Sequence, residues 1–357
     1  MDDFIELDFL GVDTDRSGDA ITVRYSVNGK TSVHVVDGGY IDTGTKIVEH
    51  IKKHYNTTHI DNVVLTHSDQ DHANGLRVVL EQCTVGTLWM NRPWLYADEL
   101  IDRFGTYNSV DALRRKLRNI YAAPAALEDI ALKRGIPIAS PLQGADIGSW
   151  TVLAPTRSRY LDLIVESNKT PEPADEGFLA QTMEGIAMVA KSVVALAKAA
   201  WGHEYFPAEG TSSENEMSVV QYAFVNNKRL MLTGDVGRDG LNEAADYAPA
   251  AGLTLPGVWV FQVPHHGGRH NVNTEVLDRW LGKRMSQPPE TTKWNAICSA
   301  AKKDEHHPKN SVTRAMLHRG AHFSTTEDYA IVHIGSGIKR ENMTPIPQAP
   351  YPEEQEA

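Results

Sequence analysis

Val63-Val64-Leu65-Thr66-His67-Ser68-Asp69-Gln70-Asp71-His72-Ala73-Asn74-Gly75 is the stretch on which the reading of this chain turns. It opens on three apolar residues, two of them β-branched, as a short buried strand does, and Leu76 to Gln82 behind it is helix-like. Between them His67, Asp69, Asp71 and His72 fall within six consecutive positions. Imidazole nitrogens and carboxylate oxygens are donors that divalent transition metals take. Without a cation Asp69 and Asp71 repel each other, and one or two divalent ions remove that repulsion. The plain alternative is a solvated acidic turn. Two later stretches argue against it, because each repeats the layout of apolar strand followed by donor.

Those stretches are Arg229-Leu230-Met231-Leu232-Thr233-Gly234-Asp235 and Val258-Trp259-Val260-Phe261-Gln262-Val263-Pro264-His265-His266-Gly267-Gly268. Together, His-x-Asp-x-Asp-His, Thr-Gly-Asp and Pro-His-His-Gly resemble the metallo-β-lactamase superfamily, most of all the branch found in the competence DNA-uptake protein ComEC. Gly18-Asp19-Ala20, Val36-Asp37-Gly38-Gly39, Asn215-Glu216-Met217-Ser218-Val219-Val220 and His307-Pro308 extend the resemblance, which covers roughly residues 4–90 and 210–335. It implies an αββα sandwich with the site at strand ends.

The bulk numbers bound the alternatives. A chain of 357 residues holds one large or two ordinary domains. Its 41% hydrophobic and 23% charged residues are those of an ordinary globular protein. A formal net charge of −11 weighs against a protein that coats duplex nucleic acid. Cys83 and Cys298 both lie in apolar stretches and read as buried free thiols. Met1-Asp2-Asp3 is acidic, so a secretory n-region is not expected, and Ile186 to Trp201 is short for a membrane span and carries two lysines. A cytoplasmic protein with no membrane partner is the expectation.

Along the chain, Phe4 to Leu10, Ala20 to Val27 and Thr31 to Val36 read as strands, with Asn28-Gly29 as the hairpin turn of the last two. Thr45 to Tyr55 has helical spacing and Thr84 to Met90 is strand-like. From about residue 94 to 210 the pattern changes to a helical insertion. Val110, Leu113, Leu117, Ile120 and Tyr121 form an apolar stripe there, Leu127 to Lys133 is a short helix, and Phe178 to Trp201 reads as an apolar helix. Ser149 to Leu153 interrupts it as a strand. The insertion is expected to cap the site, shape access or pair two copies of the chain as a homodimer. After it, Met217–Val225, Lys228–Thr233, Ala296–Ala300 and Tyr329–Ile334 read as strands, and Thr274–Leu281 and Ser311–Arg319 as helices. One domain over residues 1–340 and a Pro/Glu-rich disordered tail over 341–357 complete the expectation.

Carried over by position, the resemblance gives His67 and Asp69 to one metal and Asp71, His72 and His265 to a second, with Asp235 bridging. Such a pair lowers the pKa of water from about 15.7 to near 7, which supplies a nucleophile at neutral pH. Asp71, His266 and His307 are the candidate catalytic residues, and Asp37 is expected beneath the site as an acceptor. Two departures matter. Asp69 stands where the common pattern has a second histidine, and Asn215, Glu216 and Ser218 stand where it has a third-motif histidine. The first position is thereby richer in oxygen, which moves preference from zinc towards manganese or magnesium, and a chain with the second position alone filled stays open. Two divalent ions, Mn²⁺ or Zn²⁺ with Mg²⁺ as a further option, are the expected cofactors.

The function that follows is a metal-dependent phosphodiesterase or nuclease acting on single-stranded nucleic acid or a nucleotide. Arg114, Arg115, Lys116, Arg118, Lys302 and Lys303 are candidates to hold a phosphate chain, though a solvated helix face is the better account of the first four. Trp94, Tyr96, Phe104 and Tyr107 are candidates to stack on bases, against core packing. The alternatives are a lactone, ester or amide hydrolase of the same fold, and a non-catalytic protein that uses metal for stability.

Overall fold

The structure, a computed structural model, describes residues 2–12, 14–170 and 196–356. Its first strands are β1 (Phe4–Leu10), β2 (Ala20–Val27), β3 (Lys30–Gly38), β4 (His59–Val64), β5 (Thr84–Trp89) and β6 (Ile138–Ala139). Then come β7 (Asp146–Ile147), β8 (Trp150–Ala154), β9 (Leu196–Lys198), β10 (Val220–Val225) and β11 (Lys228–Leu232). The last are β12 (Val260–Gln262), β13 (Trp294–Cys298), β14 (Ala321–Thr325), β15 (Ile331–Ser336) and β16 (Glu354–Glu356). They form two seven-stranded sheets, ordered β15-β1-β2-β3-β4-β5-β6 and β14-β13-β12-β11-β10-β8-β7. In each, parallel strands (β3 to β6, β11 to β14) continue into antiparallel ones.

Alternation along the strands builds the layers. Val36 and Val64 point between the sheets and meet Trp150, Val219, Leu232 and Val260 of the second. Their neighbours Val35 and Val63 point outward, onto α1 (Ile41–His50) and α2 (Gln70–Gln82). Burial on both faces is why these strands read as unbroken apolar runs. The helices after the second sheet's strands cover its outer face through Leu241, Val276, Trp280, Val312 and Met316. The result is an αββα sandwich. Asn28 and Gly29 take φ of 52° and 76°, the double positive that a tight β-hairpin turn needs.

Within the expected insertion, β6, β7 and β8 extend the two sheets, and the helices around them form a separate cluster. That cluster joins α3 (Val110–Ile120) and α4 (Arg157–Glu166) through Leu113, Leu117, Tyr160 and Ile164. The helix expected over Phe178–Trp201 falls mostly outside the described residues. Its described end, Leu196–Lys198, is a strand paired with β16.

That pairing also corrects the expected disordered tail. Glu356 accepts from the backbone N–H groups of Asn310 and Ser311 (both 2.9 Å), at the first turn of the helix Asn310–His318. The buried Arg314 guanidinium donates to the carbonyls of Pro352, Ala199 and Ala200. Composition alone reads Pro and Glu as solvated chain, and it misses a buried cation that gathers carbonyls from distant segments.

Among the described residues no helix is long and apolar enough to cross a membrane. Cys83 and Cys298 are buried and free.

Candidate metal centre

The ends of β3, β4, β11, β12 and β13 bring the site together, at the carboxyl edge where open sheets present loops. Asp37 closes β3 in the left-handed region (φ 56°). Its Oδ1 accepts from the Thr66 backbone N–H (2.8 Å). Its Oδ2 accepts from Thr66 Oγ1 (2.6 Å) and from His72 Nδ1 (2.7 Å). Because the Thr66 hydroxyl donates to Asp37, its oxygen is left to accept from His67 Nδ1 (3.1 Å). His266 Nδ1 donates to the Ser299 carbonyl (2.9 Å). All three imidazoles therefore carry a proton on Nδ1 and direct Nε2 into the site, as metal-ligating histidines with an outer acceptor do. Asp37 lies beneath the site as expected.

Asp235 stands at the centre. Its Oδ1 is 3.3 Å from His72 Nε2 and 3.9 Å from His266 Nε2. Its Oδ2 is 3.8 Å from His67 Nε2 and 2.5 Å from His265 Nδ1. One carboxylate thus faces two donor sets. On the first side lie His67, Asp69 and His265. Asp69 Oδ2 is 3.9 Å from His67 Nε2, and Asp69 Oδ1 is paired with Lys169 Nζ (2.7 Å). On the second side lie His72, Asp71, His266 and Asp19. Asp71 Oδ2 is 3.7 Å from His72 Nε2 and 3.5 Å from His266 Nε2. One donor atom each from Asp19, His72, Asp235 and His266 lies within 4.8 Å of the others, and all four residues are buried.

This arrangement changes two assignments. His265, expected with Asp71 and His72, lies on the other side of Asp235, next to Asn215 Nδ2 (3.2 Å), and His266 takes its place in the second set. Both histidines have positive φ (48° and 53°); His265 Nδ1 meets Asp235 Oδ2, whereas His266 Nε2 faces Asp71 Oδ2 and Asp235 Oδ1. Asp19, quoted within a motif but not read as a donor, joins the second set. The buried Gln262 donates to Asp19 Oδ2 (2.9 Å), and its Oε1 accepts from the backbone N–H groups of Thr233 and Gly234 (2.8 and 3.2 Å). It thereby ties Asp19 to the Asp235 loop across the two sheets.

Five buried atoms here have no hydrogen-bond partner: His67 Nε2, His72 Nε2, His266 Nε2, Asp235 Oδ1 and Asp19 Oδ1. Buried polar atoms are nearly always satisfied, so four unpartnered atoms around Asp235, together with its own Oδ1, fit a cation. The charge balance agrees. Burial disfavours the imidazolium forms of His72 and His266, yet Asp235 and the surrounding carboxylates outweigh it. His72 is raised well above the usual value and His266 to about 9. Burial raises Asp71 and Asp235, but the His72 and His266 charges hold both below the carboxylate range. Burial, helped by Asp235 and Asp37, pushes Asp19 up. Burial and His72 push His67 down. The cavity is anionic and holds protons where a divalent ion would serve.

Beside these donors opens a cleft of about 730 Å³, lined by Arg16, Tyr40, Asp69, Asp71, Lys169 and His307 among others. His307 Nδ1 donates to Asp304 Oδ2 (3.2 Å), and its ring stands edge-on to His265 (5.4 Å between centroids). Burial lowers its pKa against the pull of Asp304. A cavity of similar size, about 700 Å³, lies where β14, β15 and residues 342–346 meet, and none of the donors lines it.

Four of the six basic residues expected to hold phosphate are paired elsewhere. Arg114 pairs with Asp111, Arg118 with Glu128 and Asp129, Lys302 with Asp328 and Lys303 with Asp15. Trp94 and Phe104 are core residues, and Tyr96 and Tyr107 pack half-buried against the same cluster.

No protein-family model and no curated protein matches the chain. Among solved structures the chain is similar to the metallo-β-lactamase fold protein YhfI from Bacillus subtilis, at 9% identity over 94% of this chain and 100% of that one, TM-score 0.42. It is similar to a diphosphatase of the PhnP family, at 9% identity over 93% and 98%, TM-score 0.38. A third is AidC, a dizinc quorum-quenching lactonase, at 10% identity over 61% and 56%, TM-score 0.28. The neighbours are metallo-β-lactamase fold proteins. Nothing among them supports the ComEC-like branch that the motifs suggested.

Proposed function

We propose that this chain is a metal-dependent hydrolase that cleaves phosphodiester bonds in a nucleotide or in single-stranded nucleic acid. The observation that carries this reading is the set of four buried, unpartnered atoms gathered around Asp235, together with its own Oδ1. His67, Asp69 and Asp235 Oδ2 would hold one cation, with Asp19, Asp71, His72, His266 and Asp235 Oδ1 around a second. A divalent cation held there lowers the pKa of water and supplies a nucleophile at neutral pH. Mn²⁺ or Zn²⁺ is proposed. The carboxylate-rich second set favours the harder ion of the two, and Mg²⁺ beyond it.

The chain's own residues do the positioning. Asp37, Thr66 and the Ser299 carbonyl hold the Nδ1 protons, so the imidazoles present Nε2 lone pairs in fixed orientations. Arg16 and Lys169 give the cleft cationic groups for an anionic substrate. With Nδ1–H directed at Asp304, His307 offers Nε2 as an acceptor, suited to taking a proton from a substrate or water rather than giving one. The ion pairs that occupy Arg114, Arg118, Lys302 and Lys303 favour a nucleotide-sized ester over a long polymer.

The test incubates the protein and its Asp235→Asn variant with Mn²⁺ and with single-stranded DNA, RNA, cyclic nucleotides, lactones and esters. Phosphodiester cleavage lost in Asp235→Asn supports the proposal. Turnover of acyl substrates alone replaces it with the carbon-ester reading. A protein that binds no cation ends it.

A further inference from the structure

We propose that Lys169 is the resident counter-cation of the first donor set, so that the two cation positions fill in order, the second before the first. The inference rests on the metal-centre reading above and concerns how that centre loads.

The two sets differ in what already neutralises them. In the second set one donor atom each from Asp19, His72, Asp235 and His266 lies within 4.8 Å of the others. Among the described residues no lysine or arginine pairs with any of these carboxylates. In the first set Asp69 is one-third exposed, with Oδ1 on the Lys169 ammonium at 2.7 Å and Oδ2 at 3.9 Å from His67 Nε2. A cation entering between His67 and Asp69 must compete with that ammonium for the carboxylate. A cation entering the second set competes only with protons.

Lys169 is held where it is. Its backbone N–H donates to Ser167 Oγ (3.1 Å), and Thr170 Oγ1 donates to the Ser167 carbonyl (2.7 Å). The buried Ser167 hydroxyl in turn donates to Glu214, itself buried. Glu214 precedes Asn215, the residue beside His265. The turn that carries Lys169 is therefore anchored to the segment that lines the first set. Its side chain is 46% exposed and points into the cleft. When a cation takes Asp69, the released ammonium is left at the cleft, facing the anionic substrate proposed above. Lys169 acts as a positioning residue, through Asp69.

The experiment titrates Mn²⁺ alone into the cation-free protein, followed by calorimetry and by the electron paramagnetic resonance signal of free Mn²⁺. The wild type is expected to show a tight step and a weak step of one ion each. Lys169→Gln should tighten the weak step by roughly fivefold, the range of a half-exposed ion pair, and leave the tight step unchanged. Lys169→Arg should behave as wild type. Arg16→Gln removes the same charge from the same cleft without touching Asp69, and should leave both steps unchanged.

Two equal steps in the wild type overturn the inference. So does a weak step that Lys169→Gln does not tighten, or one that Arg16→Gln tightens as much. Absence of Mn²⁺ binding in every variant is a different failure, because it removes the metal centre itself.

Discussion

On one side of Asp235, Asp19, His72 and His266 are buried, and each holds a bare donor atom. On the other, His67 is equally buried, but Asp69 is one-third exposed and ion-paired, and His265 is spent on Asp235 itself. The second set is fixed before any cation arrives, by Asp37, the Ser299 carbonyl and Gln262. In the first, Asp69 is already shared with the half-exposed Lys169, which a cation must displace or accommodate. Preorganised donors lose little freedom on binding, whereas donors that must rearrange yield part of their affinity. A shared carboxylate joins a rigid half to an adaptable one.

The most severe break is at the shared atom pair. Asp235→Asn keeps the shape and removes the charge that both sets face. Mn²⁺ affinity should fall at both positions by more than the roughly 10–100-fold that loss of a supporting partner produces. One position surviving at wild-type affinity in calorimetry would show that Asp235 serves a single set.

Gly75→Ala separates the sets by another route. A Cβ at Gly75 would sit 1.9 Å from the Gly38 carbonyl oxygen, so α2 approaches β3 only because this residue has no side chain. That approach presses the first turn of α2, with Asp71 and His72, against Asp37. The variant should lose about 1–3 kcal/mol in denaturant unfolding, as overpacked sites do. Its second set should weaken more than its first, because His67 precedes the helix. Equal weakening would mean that helix placement does not distinguish them.

Thr66→Val is milder and points the other way. It removes the hydroxyl that links Asp37 to His67 and leaves the direct bond from His72 to Asp37. The first set should weaken by about tenfold, the low end for an outer acceptor, with the second little changed. A drop confined to the second set would reverse the assignment of partners.

Much of this centre was legible because its donors are contiguous or sit at strand ends. His67 to His72 form one run, and Asp235 and the His265-His266 pair follow apolar strands, so the motifs stood out and the resemblance they carry implied the αββα frame and six of the donors. Asp19 carried no comparable signal. A single aspartate before a strand has no period, and its partner Gln262 lies 243 residues away. The roles of His265 and His266 depended on two positive φ values that no residue type announces. Lys169 was invisible for another reason: its function depends on a long-range pair to Asp69, 100 residues distant.

The comparison of buried imidazoles extends to one outside the site. His34 is fully buried, stacks on Trp150 and donates from Nε2 to Gln221 Oε1 (3.0 Å), joining the two sheets. Few carboxylates surround it. Burial therefore prevails and lowers its pKa from 6.5 to about 4, the reverse of His72 and His266. Between those two values the unfolded chain binds a proton at this position that the folded chain refuses, so stability falls as pH falls. The contribution is complete above 6.5 and fully lost only below about 4. From pH 7 to 6 this one group should remove about 0.7 kcal/mol. His34→Gln keeps an amide donor for Gln221 and has no such proton. Urea unfolding of the cation-free protein at the two pH values should show the wild type losing more than the variant by that amount. Equal losses would mean that burial does not set this imidazole apart from those around Asp235.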